Sequence, residues 1–203
     1  MVSMPSGRTA TSLSIGYAHT CALLDNASVY CWGMTFYGQL GDGSDMGILN
    51  GNGSGLSSPV AVNLPAGRTA VGVYGSGDLV HTCAILDDGS VYCWGRNNYG
   101  QVGDGTTTDR YTPVAVILPS GRTATSVDAN EMHTCAVLDD ASLYCWGGNS
   151  VGQLGDGTTT SSSTPVAVSL PSGRTATSVD AGRWYTCAVL DDGSAYCWGV
   201  NGD

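Results

Sequence analysis

Eight cysteines fall in four pairs, Cys21/Cys31, Cys83/Cys93, Cys135/Cys145 and Cys187/Cys197, and each pair is separated by ten residues. Cysteines in such numbers can hold a metal or cross-link. Zinc favours ligands two to four residues apart within a pair, and a ten-residue separation fits it poorly. An even separation around a turn keeps both members on one face of a sheet. Directly opposed strand residues lie ~4.5–5.5 Å apart, within reach of a disulfide. The pairs are therefore expected to be four disulfides. Each closes a short loop, so the chain-entropy gain is at most about 3 kcal/mol, and less if the hairpin persists on unfolding. Disulfides persist in oxidising compartments, which predicts a secreted or cell-surface protein.

Histidine recurs at one position, His19, His81 and His133, with Tyr185 in its fourth occurrence. Gathered round an axis, such residues could ligate a metal; the tyrosine argues for a structural role instead. Asp42, Asp104 and Asp156 sit in G-D-G turns, with Asp109 nearby. Calcium loops present several carboxylates at alternate positions, whereas aspartate before glycine is explained by Asx-turns. The pairs Asp87/Asp88, Asp139/Asp140 and Asp191/Asp192 repeat identically, which argues against a catalytic dyad needing one special environment. There is no phosphate-binding glycine loop, HExxH or serine-hydrolase motif. No catalytic residue, metal or cofactor is expected.

The elements that carry these residues are repeats. HTCALLDNASVYCWG (19–33), HTCAILDDGSVYCWG (81–95), HTCAVLDDASLYCWG (133–147) and YTCAVLDDGSAYCWG (185–199) start 62, 52 and 52 residues apart. A P-[SA]-G-R-T-A stretch precedes each, and YGQLGDG, YGQVGDG or VGQLGDG follows the first three. The longer first spacing comes from an insertion, 44–55. TCAIL and SVYCW flank a D-D-G hairpin signal. In the second copy Gly89 is expected in the left-handed position, with Leu86 facing Ser90 and Cys83 facing Cys93. Adding the β-branched runs PVAVNL, PVAVIL and PVAVSL gives four strands per unit, about 59–64, 70–75, 82–86 and 90–94 in the second copy. Four-stranded units repeating every ~50 residues predict β-propeller blades. The expected fold is all-β, one repeat domain over 1–203, with four four-stranded blades at about 1–33, 59–95, 113–147 and 165–199. Loops 34–58, 96–112 and 148–164 connect them.

Composition narrows the partners. The net charge is -10, the charged fraction 12%, and the cations are seven arginines with no lysine. Such a chain makes a poor phosphate binder, so nucleic acid is not an expected partner. No apolar run approaches the ~20 residues of a membrane span. The opening MVSMPSGRTA lacks the features of a signal peptide, so an export signal is expected to have been removed or to lie outside this chain.

In the second copy His81, Ala84, Leu86, Asp88, Gly89, Tyr92, Trp94, Gly95, Asn97, Gly100, Gln101 and Gly103 follow a continuous pattern. This pattern resembles the regulator of chromosome condensation repeat family. The resemblance implies a β-propeller, typically of seven blades, and makes the histidine a repeat-defining structural residue. It leaves the function open, because members serve as exchange factors, light sensors, ubiquitin-ligase parts and secreted inhibitors. This chain departs from the family in having four hairpin units and a cysteine pair in each. Aligning its ends places Met1–Met4 over Ala167–Leu170, so the chain is expected to start inside a blade's first strand and end just past a last one.

Specific function on a repeat scaffold sits where the repeat breaks. The candidate contact residues are Phe36, Tyr37, Arg96, Tyr99, Arg110, Tyr111 and Trp184, with Met46, Ile48 and Leu49 in the insertion. Tyrosine, tryptophan and arginine are favoured interface residues. Trp32, Trp94, Trp146 and Trp198 repeat in register and are expected in the interblade core. Asn26 (NAS) and Asn52 (NGS) match the N-glycosylation pattern. The sequence thus predicts a non-enzymatic extracellular scaffold that self-associates as a homo-oligomer or filament. The alternative is a recognition module binding another protein or a glycan through its loop face.

Overall fold

A computed structural model describes residues 2–16, 18–44, 55–75 and 81–200. They form fifteen strands and no helix. The first sheet contains β1 (Ala10–Ile15), β2 (His19–Leu24), β3 (Val29–Gly33) and β4 (Leu56–Ala61). The second contains β5 (Ala70–Gly75), β6 (His81–Leu86), β7 (Val91–Gly95) and β8 (Arg110–Ala115). The third contains β9 (Ala124–Ala129), β10 (His133–Leu138), β11 (Leu143–Gly147) and β12 (Ser162–Ala167). The fourth has three strands among the described residues: β13 (Ala176–Ala181), β14 (Tyr185–Leu190) and β15 (Ala195–Gly199). Every pairing is antiparallel and every sheet is in chain order. This is the all-β propeller architecture expected from the repeats.

The hairpin register is the one the spacing implies. Cys83 lies opposite Cys93 and Ile85 opposite Val91, while the Leu86 N–H bonds to the Ser90 carbonyl at 2.9 Å. Gly89 closes the turn at φ 76°; Ala27 and Ala141 hold the equivalent left-handed position in the first and third hairpins, at φ 62° and 61°.

The phase of the sheets differs from the sequence grouping. The P-V-A segment was grouped with the hairpin that follows it. Instead Leu56–Ala61 pairs with β3 (Tyr30 opposite Ala61), and β8 and β12 likewise close the sheets of β7 and β11. Pro59, Pro113 and Pro165 thereby sit on outermost strands, where a missing N–H breaks no ladder and blunts the edge against further pairing. The short P-x-G-R turn then crosses to the next innermost strand. Val2–Met4, aligned with Val168–Leu170, accordingly precede β1 outside any strand rather than within a first strand.

Each sheet packs on its successor, β2 on β5, β6 on β9 and β10 on β13. Among the described residues no comparable packing joins the fourth sheet to the first. The three cores lie between sheets. In the first, Cys21, Leu23, Val29, Cys31 and Leu40 of one blade meet Ala70, Val73, Ala84, Leu86 and Trp94 of the next. One face of each blade therefore presents its cystine and aliphatics, and the other presents alanine, leucine and tryptophan.

Candidate functional site

All four disulfides are formed, Cys21–Cys31, Cys83–Cys93, Cys135–Cys145 and Cys187–Cys197, each with Cα atoms 4.1 Å apart. The first three are completely buried in interblade cores. Beside them runs a polar relay repeated at each junction. His81 Nε2 lies 2.8 Å from Thr134 Oγ1 in the next blade, and Thr134 donates to the Gln101 carbonyl at 2.8 Å. Trp146 Nε1 donates to the same carbonyl at 2.9 Å. The threonine proton is committed to the carbonyl, so the histidine must carry its proton on Nε2 and donate. His19–Thr82 and His133–Thr186 repeat the arrangement at 2.9 and 2.7 Å. Burial lowers the pKa of His19 and His133 to about 4. Burial, with His133 and His19 nearby, lowers that of His81 to about 3. The histidines are neutral structural donors in the junctions. No cluster of three or more metal-ligating side chains occurs among the described residues.

The aspartates are absorbed by turns. Asp104 Oδ1 accepts the Thr106 N–H at 3.0 Å and hydroxyl at 2.7 Å, while Oδ2 pairs with Arg110. Burial pushes this carboxyl up, but the Thr106 hydrogen bonds and the Arg110 charge outweigh it and hold the pKa below the ordinary value. Fully buried Asn97 organises the loop: its amide donates to the Thr106 and Thr108 carbonyls at 3.1 and 3.0 Å, and its Oδ1 accepts the Val102 N–H at 2.9 Å. Asn149 does the same in the third blade. The first blade has Thr35 at this position, and its loop is the one carrying the insertion.

The non-repeated residues gather mainly on one end of the arc. There the loops before β2, β10 and β14 meet the segments after β3, β11 and β15, through bonds such as Gly148 N–H to Met132 O (2.7 Å) and Val200 N–H to Trp184 O (2.8 Å). Exposed Phe36 stands 6.4 Å from the Tyr37 ring, and the Arg96 guanidinium lies 4.9 Å above Tyr37. Tyr99 is exposed beside Gly148, and Trp184 is half-buried with Arg183 at 5.9 Å from its ring. Arg183 also pairs with Glu131, a buried acid at the corresponding place in the third blade. That pair was missed from sequence, although both residues break the repeat. Arg110 and Tyr111 stand elsewhere, at the start of outer strand β8, with Tyr111 against the Gly38 turn. Arg110 is tied to Asp104 and takes no part in the aromatic group. Asn26 is exposed in the β2–β3 turn, where its Oδ1 accepts from the Ser28 hydroxyl at 2.7 Å. Asn52, Met46, Ile48 and Leu49 lie outside the described residues.

The end faces differ from the internal ones. Val189 is 40% exposed, against 3% for its counterparts Ile85 and Val137, and Leu13 is 57% exposed against 7% for Val73. Cys197 is exposed where the first three disulfides are not. Thr20 is half-buried, whereas Thr82, Thr134 and Thr186 are fully covered by a preceding blade's histidine.

Successive antiparallel sheets of three or four strands, with their cores between neighbouring sheets, define a β-propeller repeat protein. The family follows from comparison with known proteins. One profile of the regulator of chromosome condensation (RCC1) repeat matches residues 88–137 and 140–189, and a second matches 10–39, 73–101, 124–153 and 176–203. The chain belongs to the RCC1 repeat family. It is 32% identical over 193 residues to the Ultraviolet-B receptor UVR8 of Arabidopsis thaliana, covering 95% of this chain and 42% of that protein. Human WBSCR16 superposes with a TM-score of 0.77 at 21% identity, covering 94% of this chain and 48% of that one. Yeast RCC1 (Prp20), in a structure bound to Kap60, gives 0.76 at 22% identity, covering 94% and 43%. The chain thus spans less than half the length of these relatives.

Proposed function

We propose that this protein is a non-enzymatic, disulfide-locked propeller scaffold of an oxidising, extracellular setting, and that it self-associates head to tail through its end blades. One observation carries the reading: the exposed faces of the fourth and first sheets are the two halves of a junction that the chain makes three times internally. The fourth offers its cystine, Val189 and Tyr185. The first offers Leu13, Thr20 and Trp32, which answer to Val73, Thr82 and Trp94. A second copy seated there buries apolar surface in a register already encoded. Such a contact is heterologous, closing into a ring or propagating as a filament according to the rotation per copy. Four disulfides support the oxidising setting.

The Cys187–Cys197 bond reports on this contact. Limited reduction followed by alkylation and mass mapping is expected to label these two cysteines first in dilute protein. Protection should grow with concentration, in step with larger species in sedimentation. Val189→Asp should hold the protein monomeric and its fourth disulfide open. A wild-type monomer at every concentration, with that disulfide always accessible, overturns the proposal.

A further inference from the structure

An arginine census singles out one site. Arg8, Arg68, Arg122 and Arg174, in the P-x-G-R turns, pair with hairpin aspartates. Arg110 pairs with Asp104 and Arg183 with Glu131. Among the described residues Arg96 is the one arginine with no carboxylate partner, in a chain of net charge -10. Its guanidinium carbon instead lies 4.9 Å from the centre of the Tyr37 ring. The Tyr37 backbone is itself fixed, because its N–H bonds to the side chain of fully buried Gln39 at 2.9 Å. Exposed Phe36 stands alongside, its ring tilted 57° to that of Tyr37. The site occurs once: Met34, Gly148 and Val200 take the place of Arg96 in the other repeats.

We infer that Arg96, Tyr37 and Phe36 form a recognition site for a protein segment carrying an aspartate or glutamate next to an apolar side chain. A guanidinium held over a ring in this way has donors left for a bidentate carboxylate contact. Phe36 supplies apolar area beside it, so charge and burial are read together. A polyphosphate would be repelled by the surrounding acidity, which one carboxylate largely escapes by pairing. A sugar would need an open aromatic face; Arg96 covers that of Tyr37, and the two rings share no plane. This site is independent of the end-blade contact, and its test uses the monomeric Val189→Asp background.

The probes are short peptides containing Glu-Phe or Glu-Leu, their Gln-Phe and Gln-Leu matches, and an oligogalacturonate, titrated by calorimetry. Glutamate peptides are expected to bind about tenfold more tightly than the glutamine matches. Arg96→Gln should erase the preference, and Arg96→Lys should lose most of it. Both variants should fold, since among the described residues the Arg96 side chain makes no hydrogen bond in the blade; circular dichroism checks this. Equal binding of the two peptide sets, a preference surviving in Arg96→Gln, no peptide binding, or Arg96-dependent binding of oligogalacturonate alone each overturns the inference.

Discussion

Acid should loosen the junctions before it protonates the aspartates whose pKa the turns hold down. His19, His81 and His133 are buried as neutral donors to threonine, with pKa values of about 4, 3 and 4. An unfolded histidine titrates near 6.5. Below that pH the unfolded chain binds protons that the folded chain refuses, so stability is complete above about 6.5 and falls as pH falls. The loss ends near 4 for His19 and His133 and near 3 for His81. At pH 5 each histidine has cost about 2 kcal/mol, roughly 6 in all, comparable to the whole stability of many domains. At about 2–4 °C per kcal/mol for a chain this size, the melting temperature should drop by roughly 10–25 °C between pH 7 and 5. The aspartates with lowered pKa, Asp88, Asp104, Asp140, Asp156 and Asp192, titrate below this window. Asp128, raised by burial and to a lesser degree by Asp180, works weakly in the opposite direction. Thermal denaturation by circular dichroism in monomeric Val189→Asp protein is the assay. His133→Gln keeps a donor for Thr186 and should remove about one third of the pH dependence. A melting temperature flat from pH 7 to 5, or a slope unchanged in that variant, refutes the reasoning.

Two further substitutions test the physics of the repeat. Thr134→Val removes the hydroxyl between His81 and the Gln101 carbonyl, leaving a buried N–H unpaired. It should cost about 2–3 kcal/mol in urea unfolding, whereas Thr134→Ser keeps the relay and should cost about 1; equal costs would remove the relay from the stability argument. Ala141→Gly should stabilise by about 0.5 kcal/mol, because relief of the left-handed strain exceeds the entropy added to the unfolded chain. Gly193→Ala, whose added methyl would meet no atom within 4 Å at φ 82°, isolates that strain and should destabilise by about 1 kcal/mol in the same experiment.

What the sequence disclosed was local. Cysteines ten positions apart around an intervening turn such as D-D-G-S determine a hairpin register, because a one-residue slip would turn the two sulfurs to opposite faces. The propeller followed from the period of that hairpin. The sequence points the fourth strand to the wrong neighbour because P-V-A-V lies two residues before the following P-x-G-R turn and a long loop away from the preceding hairpin. That loop is folded back by Asn97, whose amide gathers carbonyls nine and eleven residues ahead, and no periodicity announces such a contact. The Arg110 pairing is hidden for the same reason: Asp104 is six residues away in sequence, and only the closed loop makes them partners. The histidines repeat plainly in the sequence, but their acceptors lie 53 to 63 residues on, in the next blade.

The disulfides do more than close ten-residue loops, for which the entropic gain is small. Each blade is thin and rich in alanine and glycine, and the junction face it presents is largely its cystine with two or three aliphatic side chains. A buried cystine fills that face as a hydrophobe would, and its covalent bond also forbids the slip that would expose it. Register and packing are thereby secured by the same atoms. Inside the chain the face the cystine offers is covered by a blade presenting alanine, leucine, threonine and tryptophan in matching order. Three such blades supply one another inside the chain, and at Cys187–Cys197 the corresponding face is exposed among the described residues.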